Sequence, residues 1–183
     1  YDPDLIWYMA PRNLANGDKK ATQALLKFFD TQHLAPTFGS QPWQEQAPRL
    51  KALLDKVKKE IAFGDTASRK KVITELKTYA EEFKNAPAII RSAVDPVFIE
   101  ETKPWLEAME LWGESLVLTA EGLQAAMNSN TKAKNLFEKA AAFAERATEI
   151  ESIPGATRFD GKIKIADGIL DVFIKNAPGL ITF

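Results

Sequence analysis

Hydrophobic side chains recur along most of this chain at the three- and four-residue spacing of one face of an α-helix. The stripe at 50–61 places Leu53 and Leu54 in a predicted core, and a longer stripe at 105–127 covers about six helical turns. Alternation with a period of two, which is typical of a half-buried strand, is confined to the short stretch 162–165. The pattern therefore predicts an all-α protein.

Capping residues, prolines and glycines divide this pattern into separate helices. Asp95 offers a capping carboxylate directly before Pro96, which suits the first helical position, and Gly64 stands where a stripe ends. The predicted helices cover about 3–14, 18–33, 44–62, 66–92, 96–128, 131–151 and 166–176. Short connections between long amphipathic helices favour antiparallel neighbours. The sequence thus predicts a single domain, residues 1–183, built as an antiparallel bundle of about six helices plus a short C-terminal helix.

Composition limits the chemistry open to the chain. Its 183 residues include 24 Lys and Arg against 25 Asp and Glu, with one His and no Cys. The near-neutral charge argues against nucleic acid as a partner, because proteins that bind it usually carry a strong basic excess. No run of about 20 apolar residues appears, so the sequence predicts no membrane span. Without cysteine, disulfides, thiol catalysis and cysteine-ligated zinc are excluded.

The titratable residues form no motif for catalysis, cofactor binding or metal binding. His33 is the only histidine, which excludes every motif that needs two, and no glycine-rich phosphate-binding pattern is present. Its position at the end of a predicted helix suits a cation near the negative end of the helix dipole. Glu107 and Glu110 share one helical face, but carboxylates on a charged bundle surface are usually solvated. We therefore predict no catalytic residue, no cofactor and no metal in this chain.

Two apolar features lie apart from the core stripes and are candidates for contact with a partner. One is a row of five consecutive apolar side chains, which cannot all face one core because successive helical residues turn by about 100°. These five are Leu5, Ile6, Trp7, Tyr8 and Met9. The other is Trp43, which follows Pro42 in a predicted loop and is free to stack on a sugar or a partner. The basic runs at 56–59 and 69–71 flank Gly64, and a solvated face is the favoured interpretation there.

Several short motifs occur in an order that matches a known family. They are Tyr1-Asp2-Pro3-Asp4, Trp7, Leu14-Ala15, Phe28-Phe29 before His33, Gln46-Ala47-Pro48-Arg49-Leu50, Pro104-Trp105-Leu106 and Lys164-Ile165-Ala166-Asp167-Gly168. In this order they resemble the helical post-catalytic domain of bacterial family 84 glycoside hydrolases. These enzymes are β-N-acetylglucosaminidases, and they include O-GlcNAcase-like enzymes and proteins called hyaluronidases. Pro11 departs from the family, which usually continues a helix at that point.

The resemblance implies the fold of the hyaluronidase post-catalytic domain and a (β/α)8 catalytic barrel upstream of this chain. In that family two aspartates of the barrel assist attack by the 2-acetamido group of the substrate, so no catalytic residue carries over to any position here. The implied role is to pack on the barrel, to border its substrate cleft or to support a homodimer, in a secreted or cell-surface enzyme. Because the chain opens on Tyr1 and lacks a signal-peptide pattern, we expect an excised domain or a processed chain.

An autonomous protein-interaction module is the alternative that the residues leave open. Such a module would bind a partner protein through the face that carries Trp7 or through the basic surface at 56–71. An independent enzyme is disfavoured because the sequence contains no constellation of titratable residues. The full-length sequence is the best way to distinguish these hypotheses, since an upstream α/β barrel with neighbouring acidic residues would support the accessory domain.

Overall fold

The computed structural model describes residues 11–31, 48–128, 130–152 and 168–181 of the chain. Of these residues 91% are helical and none lies in a strand. The predicted all-α class is therefore confirmed for the part of the chain that the structure describes. The short stretch at 162–165 that alternates like a strand lies outside it.

Within the described ranges, six helices follow a single helical turn at 11–14. They are α1 (Lys19–Thr31), α2 (Pro48–Phe63), α3 (Thr66–Ala93), α4 (Pro96–Ala126), α5 (Asn130–Glu151) and α6 (Ile169–Leu180). The predicted bounds of α3, α4 and α5 differ from these by at most two residues at each end. The predicted end of the last helix at 176 was wrong, because α6 continues to Leu180. Pro178 lies in its final turn, where the missing N–H removes only one helical hydrogen bond.

Carboxylate side chains cap the first turns of the two longest helices. Asp65 accepts a hydrogen bond from the Ser68 amide at 2.7 Å ahead of α3, and Asp95 accepts one from the Val97 amide at 2.8 Å ahead of α4. These bonds satisfy amides that have no partner within the helix. Hydrogen bonds from Ser68 also stabilise the ionised carboxylate of Asp65 and lower its pKa. Pro96 occupies the first turn of α4, so the predicted helix start at Asp95-Pro96 is confirmed.

Ion pairs across the seam between α3 and α4 show that these two helices run antiparallel. Lys77 Nζ lies 3.1 Å from Glu121 Oε1, and Lys84 Nζ lies 2.6 Å from Glu114 Oε1. A step of seven residues forward along α3 thus matches a step of seven backward along α4. The buried hydroxyl of Ser115 donates to a backbone carbonyl of α5 at 2.6 Å. Links of only two or three residues join α2, α3, α4 and α5 in succession.

Helix α4 lies at the centre of the core. The side chains of the predicted 105–127 stripe that are buried are Trp105, Met109, Trp112, Leu116, Ala120 and Leu123. They pack with buried residues of α1, α2, α3, α5 and α6 in one hydrophobic cluster. Helix α4 therefore contributes to a common core that holds the described part of the chain together.

The predicted stripe of α2 is confirmed with one correction. Its buried members are Leu50, Leu54, Val57 and Ile61. Leu53, which the sequence also places in the core, is only half-buried and packs at the edge of the cluster. Because Leu53 precedes Leu54 by one residue, its side chain points about 100° away from that of Leu54, towards the edge of the stripe.

The difference between these two leucines gives a direct test of the orientation of α2. We expect Leu54→Ala to lower the free energy of unfolding by about 2 kcal/mol more than Leu53→Ala does. The reason is that only truncation of the fully buried side chain leaves a closed cavity. Urea denaturation of both variants measures the difference, and an equal or reversed order would contradict the observed face of α2.

Candidate functional site

The residues that the sequence singles out for contact with a partner fall outside the described ranges. Leu5, Ile6, Trp7, Tyr8, Met9 and Trp43 all belong to this group, and so does His33. Their proposed roles therefore stay predictions. The described residues instead offer a seam of ion pairs, two grooves, an aromatic cluster and one exposed turn.

Carboxylates of α4 pair with cations of α3 along the seam between the two helices. Arg91 pairs with Glu110, which adds a third member to the pairs of Lys77 and Lys84. We call these three pairs the ion-pair ladder. Its side chains are between 33% and 44% exposed, so each pair contributes at most about 1 kcal/mol. Their seven-residue spacing on α3 fixes the register of the two helices.

The described carboxylates do not gather into a reactive group. Within the described ranges, no three His, Cys, Asp or Glu side chains come together as metal ligands. Glu110, which shares a helical face with Glu107, is engaged with Arg91. An acid–base pair for hydrolysis needs two carboxyl groups held across a cleft. The ion-pair ladder is suited to holding helices in place and not to moving protons.

A groove of about 620 Å³, to which mainly polar and charged residues contribute, runs between α3, α4 and the first turns of α5. The Lys77–Glu121 pair lies in its wall, beside the hydroxyls of Thr74 and Thr78. Further lining residues are Ile73, Glu81, Gln124, Ala125, Asn128, Lys132 and Leu136. Both charge signs are present and one cation already has its carboxylate, so the groove shows no preference for an anion or a cation.

A second groove, of about 560 Å³, is mostly apolar and lies between α5 and the end of α6. Phe137 of α5 and Ile181 after α6 contribute its largest apolar side chains. Phe137 packs directly over Gly122 of α4, where an added Cβ would lie 2.7 Å from the ring. Lys134 and Glu138 also line the groove and form a loose pair at 3.9 Å. Nothing in its lining selects a particular ligand.

An aromatic cluster joins α1 to the first half of α4. The ring of Phe28 lies 6.1 Å from that of Phe98 in an edge-on arrangement and 6.2 Å from that of Trp105. Trp105 is buried, as the sequence predicts, and its indole Nε1 has no hydrogen-bond partner among the described residues. In contrast, Trp112 Nε1 donates to Glu151 Oε1 at 2.8 Å. Both tryptophans on the predicted stripe therefore serve the core.

The turn between α2 and α3 carries the most exposed large hydrophobic side chain in the described part of the chain. We call residues 59–71 the hairpin tip. Phe63, the last residue of α2, is 88% exposed, compared with 66% for Val97 and 54% for Val172. Phe63 is not among the contact residues predicted from the sequence. A signal was available, because Phe63 follows the buried Ile61 by two residues and so turns about 200° from the core stripe.

The basic runs beside Phe63 are only partly neutralised. Lys56 pairs with Glu75 at 2.5 Å, and Lys58 lies 3.7 Å from Asp55. The other lysines of the two runs, Lys59, Lys70 and Lys71, are exposed. The predicted solvated face is thus confirmed in outline, with an aromatic side chain in it that the prediction did not include.

Comparisons with known proteins add no assignment to these surfaces. No protein-family model matches the chain, and neither does any curated protein. None of the described helices combines the length and hydrophobicity needed to cross a bilayer.

Proposed function

We propose that this chain is a non-catalytic helical accessory domain of a family 84 β-N-acetylglucosaminidase. Its role is to pack on the catalytic barrel and to border the substrate cleft or support assembly of the enzyme. The observation that carries the proposal is the ordered series of motifs from Tyr1 to Gly168, which resembles the post-catalytic domain of that family. The all-helical structure of the described residues is consistent with such a domain.

The described contacts support an architectural role. The carboxylates of the α3–α4 seam are engaged in the ion-pair ladder, and Asp65 and Asp95 cap helices. A central helix buried along most of its length gives a rigid body, because core side chains are closely packed. A rigid helical body suits a domain that holds a fixed distance between a barrel and later parts of a chain.

The partners in this proposal are the upstream barrel of the same chain and a second copy in a homodimer. The proposed location, secreted or at the cell surface, rests on the resemblance alone. The contact residues in the proposal are Leu5, Ile6, Trp7, Tyr8, Met9 and Trp43. An autonomous protein-interaction module stays the alternative, and a full-length sequence without an upstream barrel would favour it.

Serine replacements of Leu5 to Met9, one at a time, test the proposal. We expect at least one replacement to leave the free energy of unfolding of the isolated chain within about 0.5 kcal/mol, because it lies outside the core. In the full-length enzyme the same replacement should separate this domain from the barrel, and limited proteolysis between the two domains should become faster.

Two controls make the outcome interpretable. The isolated chain should release no chromophore from a chromogenic β-N-acetylglucosaminide, whereas the full-length enzyme should. A core replacement, Leu54→Ala, should destabilise the isolated chain as well as the full-length enzyme. The proposal fails if all five serine variants destabilise the isolated chain, or if none of them changes the proteolysis of the full-length enzyme.

A further inference from the structure

The hairpin tip combines an exposed aromatic side chain with cations that form no ion pair with any residue that the structure describes. Phe63 is 88% exposed, and Lys59, Lys70 and Lys71 are exposed on the two helices beside it. Within the described ranges these three lysines form no ion pair, unlike Lys56. A surface that presents an aromatic ring among lysines without paired carboxylates favours a partner that has negative charges at its surface and an apolar layer beneath them.

The register of the ion-pair ladder shows that this tip protrudes. Lys70 continues the seven-residue spacing of the ladder cations by one step beyond Lys77. The matching step on the other helix reaches position 128, but α4 ends at Ala126. The first turn of α3 and the end of α2 therefore extend past α4, and Lys70 has no carboxylate of α4 opposite it. Among the described residues, Phe63 therefore stands at a convex end, and its 88% exposure leaves little protein around the ring.

We propose that the hairpin tip binds the surface of an anionic lipid bilayer. Phe63 inserts among the acyl chains next to the headgroups, and Lys59, Lys70 and Lys71 contact the anionic phosphates. Lys59 and Lys70 lie four residues, or about 6 Å, from the helix ends at Phe63 and Thr66. This spacing matches the depth of roughly 5–10 Å to which peripheral helices enter the headgroup region.

The convex shape favours a bilayer over an acidic protein as the partner. A bilayer accepts a single protruding ring without a preformed pocket, whereas a protein has to supply one. Lysines are also flexible point charges, which suit a diffuse anionic surface better than the paired carboxylate geometry that arginine recognises. The two acidic residues of the tip, Glu60 and Asp65, weaken the attraction only in part, because Lys59, Arg69, Lys70 and Lys71 outnumber them. This inference does not depend on the proposed function.

Flotation of the 183-residue chain with lipid vesicles tests the inference. We expect binding to phosphatidylcholine vesicles that contain phosphatidylglycerol, no binding to pure phosphatidylcholine, and release at high salt. Each lysine near an anionic surface contributes a factor of about five in affinity, so Lys70→Gln with Lys71→Gln should weaken binding about 25-fold. Phe63→Ser should weaken it about tenfold, because the buried ring is lost.

Matched controls lie at the other end of the bundle. Val97→Ser removes an exposed apolar side chain there, Lys103→Gln removes an exposed cation of α4, and neither should change binding. Because the chain has no cysteine, Phe63→Cys gives a unique position for an environment-sensitive fluorophore. Its emission should shift to shorter wavelength on anionic vesicles, and that of a label at Val97→Cys should not.

Four results would overturn the inference. They are no binding to anionic vesicles, equal binding to neutral ones, equal losses in the control variants, or a label at position 63 whose emission does not change. The proposal would also be overturned if the chain did not bind vesicles but bound poly-glutamate in a salt-sensitive way. That result would show that the partner is an acidic polypeptide.

Discussion

The Trp112→Ala replacement is expected to lower the free energy of unfolding by about 3–5 kcal/mol. Trp112 is only 1% exposed and lies in the middle of α4, the helix at the centre of the core. Truncation removes the buried ring and leaves a cavity that the surrounding helices cannot fill without moving. Chemical denaturation followed by far-UV circular dichroism measures the change.

The hydrogen bond of Trp112 can be separated from its packing. Trp112→Phe keeps most of the ring volume but removes the indole N–H that donates to Glu151 Oε1. In a double-mutant cycle with Glu151→Ala, which removes the acceptor, we expect a coupling of about 1 kcal/mol, which is typical of a partly exposed hydrogen bond. Val172→Ala, at an exposed position of α6, is the matched control. If Trp112→Ala costs no more than this control, Trp112 does not belong to the core.

The helices themselves could be predicted well, because the signals that define them are local. The start of α4 follows from Asp95-Pro96, where the Asp95 carboxylate binds an amide two residues further along the chain. The stripe from Leu50 to Ile61 likewise depends only on helical period. The last helix was predicted too short, because Pro178 and Gly179 argue for a stop that a final turn can tolerate.

Contacts between helices could not be predicted, because they depend on which residues face each other across a seam. The seven-residue spacing of Lys77, Lys84 and Arg91 is visible in the sequence, but the register that brings carboxylates of α4 opposite them is not. The same limit applies to Phe63. Its angle from the core stripe is a local property, whereas its exposure depends on where α4 ends.

The surface features likewise divide into those that are evident from the sequence and those that are not. The basic runs beside Gly64 are evident from composition, and their exposure is confirmed for Lys59, Lys70 and Lys71. The contact residues at 5–9 and Trp43 rest on hydrophobic pattern and loop position alone, so they stay predictions. No local signal distinguishes an apolar row that docks on a barrel from one that meets another helix, because both bury the same side chains.

Gly113→Leu is expected to lower the free energy of unfolding by about 4 kcal/mol, because it forces α3 and α4 apart. An ideal Cβ at Gly113 would lie 2.5 Å from Cα of Lys84 and 2.8 Å from its backbone nitrogen. These are backbone atoms of a packed helix, so no side chain can rotate to make room. The strain acts at the seam between α3 and α4, which also contains the Lys84–Glu114 ion pair.

Replacements with alanine separate this close approach from helix propensity. Alanine favours a helix over glycine by about 1 kcal/mol, so Gly179→Ala in α6, where an added Cβ meets no atom within 4 Å, should be neutral or stabilising. Gly113→Ala should be destabilising despite the same gain in propensity. Gly122→Ala should fall between them, because the ring of Phe137 that blocks its Cβ can turn aside. The urea midpoints should fall in the order Gly179→Ala, Gly122→Ala, Gly113→Ala and Gly113→Leu, from highest to lowest. A Gly113→Leu midpoint equal to that of the wild type would disprove the close contact between Gly113 and the backbone of Lys84.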